Sequence, residues 1–434
     1  MEIHVVRPGD TLYSIALEYD VSLSRLISDN QLPNPSRLVV GQTIVILHPG
    51  ETYLVRPGDT LNSIAADHRL TLRQLWQNNP ILHGEEAIFP GQELVLSYQQ
   101  EKDGTLSVNG YAYPYIDSEL LSQTLPYLTN LTPFTYGFTP QGELIVPDDL
   151  PLLEQAQRTG TAPLLHLSTL NEEEGFSNEL AHIALSDPLV QDNLVSNLLS
   201  VLQKKGYKGI DVDFEFLPPE DAQAYADFVA RLRTLLAPMG MPVIVALAPK
   251  TFARQPGLLY EGHDYALLSS AADQVLLMTY EWGYTYGPAM AVAPIRNVRQ
   301  VVEYALTEMP PEKIWLGIPN YGYDWTLPFQ PGSRARSIST QEAVMLASQH
   351  GASIRYDDQA QSPWFRYTDD SGREHEVWFE DARSIRAKLA LIDEYGLYGA
   401  GYWNLMRPFP QNWLVLNALY RIRDPSDTKT DTLL

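Results

Sequence analysis

Apolar and polar positions along residues 1–98 follow one pattern twice. VRPGDTLYSIALEYDVSLSRLISDN from Val6 returns as VRPGDTLNSIAADHRLTLRQLWQNN from Val55, and VGQTIVIL near Gly41 returns as PGQELVLS near Gly91. Such self-similarity, here with a unit of about 45 residues, marks repeated small modules. In each copy a short β-like segment (HVV, TYLV) runs into Pro-Gly-Asp-Thr, whose Asp or Thr can cap a helix. Leu12, Ile15, Ala16 and Tyr19 then follow helical spacing. A second helix begins at Ser22 or Thr71 and ends in an Asn-rich turn, and TIVIL and ELVLS read as strands pairing back with the first. The predicted order is βααβ, twice, over residues 1–49 and 50–98, with polar QQEKDG (99–104) as a linker.

Beyond the linker, strand-like runs alternate with helix-like runs, the pattern of a parallel α/β protein. The β-like segments lie near 107–113, 134–138, 163–168, 209–215, 242–249, 274–282, 313–322 and 399–405. The clearest helices are DPLVQDNLVSNLLSVLQKKG, with Pro188 early and Gly206 at its end, and PEDAQAYADFVARLRTLL. Eight strands with helices between them predict a (β/α)8 TIM barrel over residues 105–425. The segment at about 326–378, with its own helix (TQEAVMLASQHG) and strand-like runs, predicts a small α+β insertion between strands 7 and 8. Residues 426–434 read as a C-terminal tail.

Charge and composition narrow the chemistry. A formal net charge of −23 opposes nucleic-acid binding, and the absence of Cys excludes disulfides, thiolate metal sites and a Cys nucleophile. MEIHVVRPGD has neither the basic nor the apolar region of a secretory signal, and no run approaches the roughly 18 apolar residues of a membrane span. The expectation is a folded, soluble chain without membrane insertion.

GIDVDFE carries the candidate chemistry. Side chains alternate along a strand, so Asp211, Asp213 and Glu215 share one face while Ile210, Val212 and Phe214 share the other. In a parallel barrel the apolar set faces the helices and the three carboxylates enter the interior, where their mutual repulsion requires at least one proton. Glu215, at the C-terminal end of the strand, is the candidate general acid. A solvated acidic edge strand, a structural ion-pair cluster and a hard-cation site are the other readings. The apolar alternates oppose the first two, and the lack of further ligands at matching spacing opposes the third.

Both N-terminal repeats resemble LysM modules, which bind N-acetylglucosamine-containing glycans. The resemblance implies a shallow groove between Gly9, Asp10, Thr11 and Leu12 and Asn30, Gln31 and Leu32. In the second copy the groove residues are Gly58, Asp59, Thr60 and Leu61 with Asn79, Pro80 and Ile81. GIDVDFE resembles the D-G-x-D-x-D-x-E signature of glycoside hydrolase family 18, with Lys208 in place of the first Asp. MTYEW (278–282) resembles the family's M-x-Y-D segment with Glu281 for Asp, and GYWNL supplies Trp403.

The resemblance implies substrate-assisted, retaining hydrolysis, in which the substrate's own acetamido oxygen attacks. Glu215 would protonate the leaving oxygen, Asp213 would orient the acetamido group while sharing a proton with Asp211, and Tyr280 would bond the acetamido carbonyl. Trp403, Trp282, Tyr111 and Tyr321 are the candidate sugar-binding aromatics, while His166 reads as a packed histidine. No metal or cofactor is expected. The whole resembles spore-cortex-lytic N-acetylglucosaminidases, which implies a peptidoglycan partner and a spore location reached from the mother cell without a signal peptide. A cell-wall or extracellular location is the alternative. A chitinase and a non-catalytic chitinase-like lectin are the functional alternatives.

Overall fold

A computed structural model describes residues 1–32, 34–171 and 175–427; of the expected tail, residues 428–434 lie outside the described residues.

Both βααβ units form as the repeats predict. Glu2–Val5 pairs antiparallel with Thr43–Ile46 around helices Leu12–Glu18 and Leu23–Asn30. Pro49–Leu54 pairs with Glu93–Tyr98 around helices Leu61–Asp67 and Leu72–Asn78. The shared Asp-Thr pair explains both helix starts. Asp10 and Asp59 each accept the backbone N–H of the Arg three residues before, at 2.7 Å, which closes the turn. Thr11 and Thr60 cap the helices reciprocally with Ser14 and Ser63. Each module has its own core, built on Ile15, Leu26 and Ile44 in the first and on Ile64, Leu75 and Leu94 in the second.

The modules are docked on the rest of the chain. In the first, the Ile354 N–H donates to the Val40 carbonyl at 2.8 Å, and Gln411 hydrogen-bonds both Thr43 and Asn30. In the second, Arg73 donates to the Leu128 carbonyl and Gln77 to the Pro126 carbonyl.

The large domain is an eight-stave parallel barrel. In chain order the staves are Gly104–Ala112, Asn130–Pro133, Leu165–Ser168 continuing Ala162–Pro163, Ile210–Asp213, Val243–Leu247, Gln274–Leu277, Ile314–Pro319 and Gly399–Trp403. Each pairs with the next, the last returns to the first, and the Tyr136–Leu167 bridge closes the ring between the second and third. A short strand, Tyr420–Ile422, adds to the N-terminal end of the first stave.

Two boundaries differ from expectation. The second stave is Asn130–Pro133, not FTYGF at 134–138: after pairing with Ala112 ends at Pro133, the aromatic run forms the rim, and Gly137–Phe138 pairs instead with Leu144–Ile145. NLTP is too short and too mixed in polarity to announce a strand. The insertion begins at Gly322, because Gly322–Thr326 belongs to its five-stranded antiparallel sheet. The seventh stave stops at Pro319, and the Asn320 side chain then donates to the Asn404 and Arg407 carbonyls.

Candidate active site

Ile210–Asp213 lies between Leu165–Ser168 and Val243–Leu247, with His166 opposite Asp211 and Ser168 opposite Asp213. Ile210, Val212 and Phe214 are fully buried against the helix layer, and Phe214 stacks on Tyr225 and Phe228 of helix Ala222–Leu236. The alternate face does enter the barrel: Asp211 is fully buried, Asp213 is buried, and Glu215 is half-buried at the opening. Phe216, at φ 59°, then turns the chain away in the left-handed region, where a bulky residue is strained. Lys208 is exposed and its N–H donates to the Pro163 carbonyl at the other end of the stave, so it takes no part in the interior.

The Tyr111 hydroxyl donates to Asp211 Oδ2 at 2.5 Å. Burial pushes the Asp211 carboxyl up to about 6, against the opposing pull of His166 and the Tyr111 hydroxyl. Burial, and secondarily the charge of Asp213, raises Glu215 well above the ordinary carboxylate value. Glu215 therefore holds a proton where an exposed glutamate would not, the condition for a general acid. Burial and then the Asp213 and Glu215 charges also raise Tyr280, which remains a neutral donor.

Apart from Asp211, which is buried beneath it, these groups line a cleft of about 320 Å³ at the C-terminal face of the barrel. Asp213, Glu215, Tyr280, Trp282, Trp403 and Tyr111 all border it, so the structure brings together residues from the first, fourth, sixth and eighth staves. Trp403 packs against Phe134, Tyr111 and Tyr113, with centroids 4.9, 5.7 and 6.1 Å away.

Tyr321 does not border the cleft. It is buried behind the wall, where its hydroxyl and that of Tyr323 donate to Glu281, which does line the cleft. Tyr111 presents its ring, but its hydroxyl is committed to Asp211. His166 is packed, as expected, yet it also borders the cleft. Its Nδ1 is 2.6 Å from Thr135 Oγ1 and its Nε2 is 3.5 Å from Asp213 Oδ2. Sequence reading missed Phe134, Phe176 and Tyr260 in the lining. They lie outside the barrel staves: Phe134 opens the run expected as the second stave, which forms the rim instead, and Phe176 and Tyr260 stand on short segments that no strand or helix pattern marks.

In the modules, Gly9, Thr11, Gly58, Thr60 and Ile81 are exposed, and Gly9 and Gly58 share φ 92°. The expected roles of Leu12, Leu61 and Leu32 as glycan contacts need correction, since their side chains are buried. Asn30 and Asn79 are likewise buried as clasps rather than presented to a groove. Asn79 donates to the Leu75 and Val95 carbonyls and accepts the Val95 N–H, and Asn30 does the same with Leu26 and Val45. Each joins the end of a helix to the closing strand.

The site is a cleft at the C-terminal face of a parallel barrel, with Glu215 at its opening beyond Asp211 and Asp213 on the same stave, and comparison with known proteins gives the class. Residues 153–407 match Glycosyl hydrolases family 18, and residues 4–47 and 53–97 match the LysM domain. The chain belongs to glycosyl hydrolase family 18 and carries two LysM domains.

Among its relatives is the cortical fragment-lytic enzyme of Bacillus subtilis, 46% identical over 97% of this chain and 99% of that protein. The crystal structure of the spore cortex-lytic enzyme SleL of Bacillus megaterium is 38% identical and covers 97% of this chain and 98% of that one, with a TM-score of 0.83. A chitinase of Chromobacterium violaceum is 26% identical and covers 72% of this chain and 98% of that one, with a TM-score of 0.67.

Proposed function

We propose that this chain is an N-acetylglucosaminidase that hydrolyses spore-cortex peptidoglycan after N-acetylglucosamine, with retention of configuration. The observation that carries the reading is Glu215, half-buried at the mouth of the cleft two residues beyond Asp213, where burial and the Asp213 charge raise its carboxyl well above the ordinary value. Glu215 donates that proton to the glycosidic oxygen as the bond breaks. The acetamido oxygen of the N-acetylglucosamine attacks the anomeric carbon from the opposite side and forms an oxazolinium. Asp213 accepts the acetamido N–H and thereby aims the oxygen, Asp211 shares a proton with Asp213, and Tyr280 donates to the acetamido oxygen. Glu215 then takes a proton from the water that opens the ring.

A sugar without an acetamido group, such as a muramic lactam, supplies no nucleophile and cannot be the sugar attacked, which supports a cut after N-acetylglucosamine. Full-length similarity to cortex-lytic enzymes supports cortex as the polymer and the spore as the location. The two modules, 1–49 and 50–98, serve as glycan-binding domains of the same polymer, joined through residues 99–104 to a catalytic domain over 105–425.

Mass spectrometry of products from defined cortex fragments tests the reading. Products ending in reducing N-acetylglucosamine are expected, and products ending in muramic residues would refute it. Glu215→Gln should bind fragments and lose about 10²–10⁴-fold in turnover; undiminished release of reducing ends would remove Glu215 from the mechanism. The chitinase reading uses the same residues, and faster turnover of chitin oligomers than of cortex fragments would favour it.

A further inference from the structure

The register between the fourth and fifth staves runs Ile210–Val243, Asp211–Ile244 and Val212–Val245, and there it ends. Continued one rung further, a parallel ladder would put Phe214 opposite Leu247 and join the Phe214 carbonyl to the Ala248 N–H. That rung is absent, and an imidazole stands in its place. Ala248 N–H donates to His263 Nδ1 at 2.9 Å, and His263 Nε2 lies 2.9 Å from the Phe214 carbonyl oxygen. Because a backbone N–H can only donate, Nδ1 must be the unprotonated nitrogen; because a carbonyl can only accept, Nε2 must carry the proton. The ring is a neutral spacer of fixed tautomer inserted between two barrel strands.

We propose that His263 is a positioning residue for Glu215: it wedges the fourth and fifth staves apart at their C-terminal ends and fixes the peptide that aims the acid into the cleft. This rests on Glu215 being the acid, as proposed above. The Phe214 carbonyl belongs to the peptide linking Phe214 to Glu215, so the hydrogen bond from Nε2 acts one bond from the acid's own backbone nitrogen. On the other side Phe216 is left-handed, and on the same peptide chain Tyr225 Oη lies 3.4 Å from the Phe214 nitrogen.

The wedge is itself anchored. His263 is fully buried, and Lys250 Nζ donates to its carbonyl at 2.8 Å. The Tyr265 hydroxyl donates to the Ala248 carbonyl at 2.6 Å. Burial lowers the His263 value and keeps the ring neutral; the Phe214 carbonyl and Asp213 favour the proton, and Lys250 opposes it.

The amide of Gln offers the same pair, an oxygen that accepts and a nitrogen that donates, at nearly the spacing of the two ring nitrogens. His263→Gln should therefore keep turnover of cortex fragments within about threefold, whereas His263→Leu, which fills the space without either bond, should lose about 10²-fold in kcat with KM little changed, the scale set by small misplacements of a catalytic group. Both are assayed at a temperature where each variant is folded by circular dichroism. Nitrogen-15 shifts of the imidazole provide a readout independent of activity and of the function assigned to Glu215: His263 should show a protonated Nε2 and a bare Nδ1 throughout the activity range. Wild-type kcat in folded His263→Leu, a Gln variant as impaired as the Leu variant, or the opposite tautomer would each overturn the proposal. A wild-type protein with no glycosidase activity but the expected tautomer would overturn the assignment of function and leave the wedge standing.

Discussion

Replacing Asp211 by Asn removes a charge that the fold opposes. Burial lifts the Asp211 carboxyl from 3.8 to about 6, a difference of roughly two units, or about 3 kcal/mol at about 1.4 kcal/mol per unit. The sign follows from the direction. A carboxyl raised in the folded state binds its proton more tightly there than in the unfolded chain. Its contribution to stability is therefore fully present below 3.8 and lost as pH rises through about 6. Wild type should lose this contribution between pH 4 and pH 7.5, and Asp211→Asn cannot.

Any fixed cost of burying the amide is the same at both pH values. The difference in unfolding free energy, variant minus wild type, should thus grow by about 3 kcal/mol from pH 4 to pH 7.5. Urea unfolding at the two pH values measures it directly. A difference that stays flat would refute the reasoning, because Asp211 would then ionise in the interior without penalty. Turnover of cortex fragments by this variant should fall at the same time, so that stability and activity change in opposite directions.

Three further outcomes are expected. Asn79→Ala removes three buried hydrogen bonds joining Leu75 and Val95; at about 1 kcal/mol each the second module should lose about 3 kcal/mol, visible as faster amide exchange in residues 53–97. Gly41 and Gly91 are equivalent in the repeat, with φ 88° and 89°, but a Cβ on Gly41 would lie 1.8 Å from the Ile354 carbonyl oxygen while one on Gly91 meets nothing. Gly91→Ala should cost only about 1–2 kcal/mol of backbone strain, and Gly41→Ala should in addition loosen the first module, detected by limited proteolysis near residues 37–41. Finally, kcat/KM should fall as pH rises through the elevated Glu215 value, and Asp213→Asn, by removing the second cause of that elevation, should move this limb to lower pH in the residual activity.

The features legible in the sequence depend on near neighbours. Alternation along Ile210–Glu215 is set by the geometry of a strand, so the two faces of GIDVDFE could be assigned before any partner was known. Pro-Gly-Asp-Thr contains its own turn and cap, and the modules form as the repeat predicts. Tyr321 was misjudged because aromatics at strand ends serve cleft and wall alike, and which one depends on where Glu281 lies. Asn30 and Asn79 were read as groove residues because an Asn near a loop resembles a ligand; their partners are strand carbonyls 15 and 16 residues away. The spacer His263 lies far along the chain from Phe214, in a segment with no pattern to mark it.

By itself, then, the sequence determined the repeat, the staves with one exception, and the inward face of the acidic strand, because each is fixed by the dihedral period of a few consecutive residues. Tertiary structure alone decided which carboxylates keep protons, which aromatics meet the cleft, and how the modules seat against the barrel. Burial, charge interaction and the completion of a hydrogen-bond ladder depend on groups brought together from distant parts of the chain, and only the closed barrel brings them there.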